Sequence, residues 1–263
     1  MAGAIEAHSG FIVLVDISGY TRFIMSHKRF GLPALGRRSE RIVEEHAEAI
    51  ISVLLEVVID DLDDILVVNK LEGDAALFYA SGTDSKAFAP ELVARLRGTF
   101  GAFNRKLEEL KACDGCLCEA CVRRGDLRIK IIAHAGEFMI KPVARFEELA
   151  GAAVIFAHRL LKNDIPSHEY LALTAELAEL DPGLSDFQTH QEIIPDFGAI
   201  ALQVFYPQPP TVQARRMPLP WPWQTWKMAR FFAQPRSRGL LEAGRRAVYK
   251  GLSDALDAPT AKL

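Results

Sequence analysis

The apolar run Phe11-Ile12-Val13-Leu14-Val15, closed by Asp16, is too continuous for a half-exposed strand. It predicts a central strand, Gly10 to Ile17, buried on both faces. A short helix follows from Ser18. Ile42, Val43, Ala47, Ile50, Ile51, Leu54, Leu55 and Val58 then recur at helical spacing, the apolar face of a long amphipathic helix from about Ser39, its N-cap, to Val58. Ile65-Leu66-Val67-Val68 and Ala75-Ala76-Leu77-Phe78-Tyr79 flank a tight Leu71-Glu72-Gly73 turn and predict a hairpin over Ile65 to Ala80. Beyond it the pattern reads as a helix from Ser85 to Leu110, a strand Leu127 to His134 and a separate partner strand Phe138 to Val143. A helix Gly151 to Lys162, a strand Glu169 to Thr174 and a final pair, Phe187 to Ile194 and Ala199 to Phe205, complete the order. Strands and helices interleave while hairpins keep the sheet mostly antiparallel. The class is α+β, a ferredoxin-like sandwich rather than a doubly wound fold, with a helical C-terminal tail.

Two of these junctions carry an aspartate beside a glycine. Asp16 stands in Leu14-Val15-Asp16-Ile17-Ser18-Gly19-Tyr20-Thr21-Arg22-Phe23, and Asp74 in Asn69-Lys70-Leu71-Glu72-Gly73-Asp74-Ala75. A carboxylate at the polar edge of a buried sheet is costly unless paired or coordinated, so two such positions point to one metal site. Taken singly, each has a plainer reading: Asp16 caps the helix that starts at Ser18, and Asp74 closes a turn.

The motif Asp-Ile-x-Gly-Tyr-Thr-x-Phe, followed by a Lys-x-x-Gly-Asp hairpin, resembles the catalytic core of the class III adenylate and guanylate cyclases. More narrowly it resembles a bacterial family of unknown function that carries this core, the DUF2652 type. The stretch Leu127 to Glu137, with His134-Ala135-Gly136, is similar to the cyclase strand that ends in His-x-Gly. Gly151 to Leu160 is similar to the helix that carries a catalytic arginine, and the likeness runs from about Gly10 to Pro207. It implies that Asp16 and Asp74 share two Mg²⁺ or Mn²⁺ ions, with the Ile17 carbonyl as a third ligand. The amides of Gly19, Tyr20 and Thr21 would cradle phosphate, hard-oxygen chemistry suited to both ions. The ions position a nucleoside triphosphate so that the ribose 3′-hydroxyl attacks the α-phosphorus in line and pyrophosphate leaves. Lys70 falls where adenylate cyclases read adenine, Glu148 near the second base-reading position, and Arg159 where charge on the α-phosphate is stabilised. The resemblance also implies a two-fold homodimer with composite sites, metals from one subunit and Lys70, Glu148 and Arg159 from the other.

The chain departs from that pattern in three places. Ile155 replaces the asparagine that orients the ribose, Glu148 is one methylene longer than the usual aspartate, and Asp196 to Leu202 contains no lysine for the transition state. Loss of one preorganised donor costs on the order of 10²–10³ in rate. The resemblance therefore implies ATP as ligand and slow formation of cyclic AMP. The alternative is a nucleotide-binding sensor or regulatory domain without turnover.

Composition adds bounds and two further candidate sites. At 263 residues, 49% of them hydrophobic, the chain has length for one full core and an appendage. It shows neither an apolar run long enough for a spanning helix nor a signal segment, so the expected location is the cytoplasm. Cys113, Cys116, Cys118 and Cys121 could close a tetrahedral zinc site; free thiols and local disulfides are the other readings. From Pro210 to Leu263 there are ten Lys or Arg against three acids, a net of +7 that leaves −10 for the rest. The expected division is thus a domain over 1–207 and a tail over 208–263, stiffened by Pro207, Pro209, Pro210, Pro218, Pro220 and Pro222. In the tail Trp221, Trp223, Trp226, Phe231 and Phe232 lie among Lys227 and Arg230, a composition that suits an anionic membrane surface or packing against the acidic core. No nucleic-acid-binding motif accompanies the charge. His134, in an apolar strand, reads as a core histidine satisfied by backbone, and Asp60 to Asp64 as a solvated helix end.

Overall fold

The long strand β1 (Glu6–Ser18) carries the apolar run through the middle of an eight-stranded sheet, and Phe11 to Val15 are fully buried there. The computed structural model describes residues 6–28, 37–111, 124–144 and 146–207. Along them follow α1 (Tyr20–Lys28), α2 (Arg37–Leu62), β2 (Val67–Glu72), β3 (Ala75–Ser81) and α3 (Ser85–Lys111). After these come β4 (Arg128–Val143), β5 (Phe146–Ala150), α4 (Ala152–Leu160), β6 (Tyr170–Thr174), the single turn α5 (Ala175–Ala178), β7 (Gln188–Ile194) and β8 (Gly198–Phe205). The strand order is β2-β3-β1-β4-β6-β8-β7, with β5 added on β4. β4 and β6 run parallel; every other pair is antiparallel. This is the mixed α+β, mostly antiparallel arrangement with flanking helices that the pattern predicts.

The chain divides into two compact units. Among the described residues, the first gathers 6–18, 58–103, 128–144 and 146–207, and the second 19–28, 37–57, 104–111 and 124–127. In the first unit α4 lays Ala153, Val154, Phe156, Ala157 and Leu160 into a cluster with Ile12, Leu14, Ile132 and Phe138, leaving Ile155 and Arg159 outside. Residue alternation sends Phe11 to the opposite sheet face, where it meets Phe88 of α3 with ring centroids 5.3 Å apart. In the second unit, Ala47, Ile50, Ile51, Leu54 and Leu55 of α2 are buried, the periodicity read from sequence.

Four local expectations change. α2 begins at Arg37, so Ser39 lies inside the helix rather than at its N-cap. β4 is one continuous strand where two were expected, because Ala135-Gly136-Glu137 does not break it. Gly136 pairs with Gly10 of β1; a Cβ at Gly10 would stand 2.0 Å from the Ala80 carbonyl oxygen and one at Gly136 2.7 Å from His134 Nε2, so both glycines are required by close packing. The partner of β4's outer half is therefore β5, a strand the pattern did not flag. His134 is buried as expected, but its Nδ1 meets the hydroxyl of Thr174 at 2.9 Å, a side-chain partner where backbone was expected. The acidic run is also more than a solvated end. Arg95 donates to both Asp64 carboxylate oxygens at 3.0 and 2.7 Å and to the Asp61 carbonyl at 2.7 Å, while the Thr99 hydroxyl donates to the Asp61 carboxylate at 2.7 Å. These bonds tie the end of α2 to α3.

Candidate functional site

Sheet register brings the two aspartate motifs together. Asp16, near the end of β1, lies opposite Ala75, the first residue of β3, and the Ile17 amide donates to the Asp74 carbonyl at 3.0 Å. Asp74 occupies the two-residue turn between β2 and β3, where Gly73 takes φ of +67°, a conformation that favours glycine. The turn thus sets Asp74 beside the edge at which β1 ends. On the other flank of β1, Asp16 pairs in register with Lys130 of β4, whose Nζ stands 3.8 Å from its carboxylate. Burial pushes the Asp16 carboxyl above the ordinary carboxylate range, and the Lys130 ammonium pulls it part of the way back. A half-buried carboxylate at a sheet edge beside a second aspartate offers the hard oxygens that divalent cations take, while the Lys130 ammonium competes with any cation for Asp16. Lys130 was not singled out from sequence. The signal was there in the alternation Arg128, Lys130 within an otherwise apolar strand.

Ile17 is a buried strand residue in register with Ile129. Gly19, Tyr20 and Thr21 fall in the second unit. Gly19 has φ of +94° and its carbonyl accepts from the Phe23 amide at 2.9 Å, the first turn of α1, and the Tyr20 hydroxyl donates to Glu48 at 3.3 Å.

A second constellation lies where β2 meets β5. β2 carries an irregularity between Val68 and Lys70, and the Asn69 amide nitrogen donates to the Glu147 carbonyl at 3.0 Å. A bulge at this point re-aims the next side chain. Lys70 then stands 2.8 Å from Glu72 and 3.9 Å from Glu148. The hydrogen bond that Lys70 donates to Glu72 is the main cause that holds the Lys70 ammonium above its ordinary value, burial opposes it, and the charges of Glu72 and Glu148 add to it. Glu72 also lies 3.7 Å from His158 Nδ1 on α4. So the fold brings together Lys70 and Glu148, 78 residues apart, and adds Glu72 and His158. Glu72 escaped notice in the sequence because it sits inside the turn motif, although its spacing of two from Lys70 on a strand already put both on one face. Arg159 and Ile155 are both exposed, one helical turn apart on the outer face of α4. Asp196 to Leu202 spans the turn from β7 into β8, and Asp196 there has φ of +72°.

The strands of this constellation, together with β4 and α4, also carry exposed apolar side chains: Val67 and Leu71 of β2, Met139 and Val143 of β4, Phe146 of β5 and Ile155 of α4. The four cysteines lie outside the described residues, as does the segment 208–263 with its tryptophans and basic charge. No helix among the described residues is long and apolar enough to cross a membrane.

Comparisons with known proteins agree with the resemblance read from the motifs. Residues 51–170 match the family described as "Protein of unknown function (DUF2652)". An uncharacterized protein of Mycobacterium tuberculosis, Rv2561/Rv2562, is 40% identical over 126 residues, 48% of this chain, and the chain spans 58% of that protein's length. Among solved structures, the adenylyl cyclase CyaB from P. aeruginosa superposes with a TM-score of 0.56 at 14% identity, over 83% of this chain and all of that one. The guanylyl cyclase Cya2 does so with a TM-score of 0.54 at 14% identity, over 80% of this chain and 98% of the other. The chain has the fold of the class III cyclase catalytic domains.

Proposed function

We propose that this chain, built on the cyclase fold, binds a purine nucleoside triphosphate, ATP, through Mg²⁺ or Mn²⁺ at Asp16 and Asp74, and forms cyclic AMP slowly. The observation that carries this reading is the hydrogen bond from the Ile17 amide to the Asp74 carbonyl, which locks the two aspartate motifs at one sheet edge. Asp16, Asp74 and the Ile17 carbonyl would hold the ions, which when bound neutralise phosphate charge and lower the barrier to attack by a ribose hydroxyl. Lys70 donates to a purine ring nitrogen and offers no acceptor for a guanine edge, which favours adenine. Glu72 fixes the direction of that ammonium. Arg159, always charged and exposed on α4, is suited to reach a phosphate. The exposed apolar side chains of β2, β4, β5 and α4 would meet a second copy of the chain, forming a homodimer in which one subunit supplies the aspartates and the other Lys70, Glu148 and Arg159.

A second reading, a nucleotide sensor without turnover, is favoured by Ile155. An isoleucine side chain cannot orient a ribose hydroxyl. The test is the purified full chain with each nucleoside triphosphate and Mn²⁺, products read by mass spectrometry and binding by calorimetry. Asp16→Asn and Asp74→Asn should each weaken Mn²⁺-dependent ATP binding at least tenfold, about 1.4 kcal/mol. Binding without product selects the sensor, and unchanged binding in both variants refutes the site.

A further inference from the structure

We infer that Asp164, His190 and Glu192 form a binding site for a zinc-class divalent cation, separate from the aspartate pair and independent of the nucleotide reading. Their ligand atoms, one imidazole nitrogen and two carboxylate oxygens, all lie within 4.8 Å of one another. His190 Nε2 is 2.7 Å from Asp164 Oδ1 and 3.4 Å from Glu192 Oε2. Nitrogen and oxygen ligands bound at 2.0–2.2 Å in a tetrahedron are about 3.3 Å apart. The His190–Glu192 separation already matches this, and the His190–Asp164 pair, a hydrogen bond at 2.7 Å, has to open by about 0.6 Å to admit the ion, which the exposed Asp164 side chain is free to do. Imidazole with carboxylates is a donor set for zinc and its first-row neighbours rather than for Mg²⁺ or Ca²⁺, which take oxygen alone.

The site is built from opposite sides. β7 alternation puts His190 and Glu192 on one face, and Asp164 reaches them from the loop that leaves α4. That loop is fixed in advance: the Asn163 amide nitrogen donates to the Leu160 carbonyl and to the Tyr170 hydroxyl, both at 2.6 Å, and its oxygen accepts from the Ile165 amide at 3.1 Å. The Asp164 amide in turn donates to Glu192 Oε2 at 3.0 Å. Glu192 is buried, its side chain 9% exposed, and among the described residues the ion pairs of Glu192 and Asp164 are with His190 and with no lysine or arginine. Two carboxylates, one of them buried, share one imidazole, and a divalent cation completes that charge balance. The Asp164 side chain is 78% exposed, which leaves the ion an open position for water and a path of entry. An ion here pins the end of α4, the helix that carries Ile155 and Arg159, to β7.

The experiment uses the full chain with Cys113, Cys116, Cys118 and Cys121 alkylated, so that thiolates contribute nothing. Equilibrium dialysis against micromolar Zn²⁺, followed by metal analysis, should find about one zinc per chain that is lost in His190→Ala and in Asp164→Asn. Asp164→Asn changes an exposed side chain without altering its volume, so it reads the site even if His190→Ala fails to fold. Zn²⁺ should raise the melting temperature of the alkylated wild type by several degrees and leave Asp164→Asn unmoved. Absence of zinc from the alkylated wild type makes the cluster an ion pair only and overturns the inference. Equal zinc in wild type and Asp164→Asn places the ion elsewhere and overturns it too.

Discussion

Lys130→Met tests the electrostatics of the aspartate pair because it removes one charge while keeping the length of the side chain. At 3.8 Å from Asp16, a unit charge is worth about 4 kcal/mol at an effective dielectric constant of 20 and about 1 kcal/mol in bulk water. The two side chains are 22% and 23% exposed, between those limits, so the variant should lose about 1–3 kcal/mol at neutral pH. Sign follows from Asp16: its folded carboxyl lies above the ordinary value because burial outweighs Lys130. Its charged form therefore costs stability as pH rises through the folded value, a cost that Lys130 partly offsets. Without Lys130 the carboxyl rises further, and the difference between wild type and variant should vanish below the ordinary aspartate range, about 3.9, where Asp16 is protonated folded or unfolded. Urea unfolding from about pH 2.5 to about pH 8 reads this directly. The same variant should bind Mn²⁺ about tenfold more tightly or better, since about 1.4 kcal/mol of removed repulsion is a factor of ten. A stability loss that stays constant across that pH range, or weaker Mn²⁺ binding in the variant, would refute the reasoning.

Three further outcomes are expected. If turnover occurs, Arg159→Ala abolishes cyclic nucleotide formation and Ile155→Asn accelerates it, measured by product assay at saturating Mn²⁺; the sensor reading expects no gain from Ile155→Asn. Burial holds His134 below its ordinary value of 6.5, with Glu176 opposing, so its contribution to stability is complete above that value and declines as pH falls through the folded one. His134→Gln should flatten this acid limb in urea unfolding, and Thr174→Val, which strips the partner at 2.9 Å, should cost about 1–3 kcal/mol by leaving a buried polar atom unsatisfied. For the tail, the full chain should sediment with anionic vesicles at low salt and a chain ending at Pro207 should not; equal sedimentation of the two assigns membrane binding, if any, to residues 1–207.

The sequence by itself determined the elements whose physics is local. The uninterrupted run Phe11 to Val15 can only be stable where both faces are covered, and it became the central strand. The period of α2 and the Gly73-Asp74 turn were equally legible, because helical spacing and a positive φ are properties of a few consecutive residues. Both aspartate motifs could be read for the same reason. What only the tertiary structure decided were relations between distant segments. β4 runs on through Gly136, paired in register with Gly10 of β1, and a glycine that reads as a break along the chain is instead a place where the His134 ring and Ala153 of α4 leave no room for a Cβ. Lys130 meets Asp16 through strand register, Glu148 meets Lys70 through β5, and His190 meets Asp164 across 26 residues. None of these pairings has a signature in spacing. Register is fixed by burying one continuous face of the sheet, and the polar residues of each strand are carried to partners that their own neighbours do not specify.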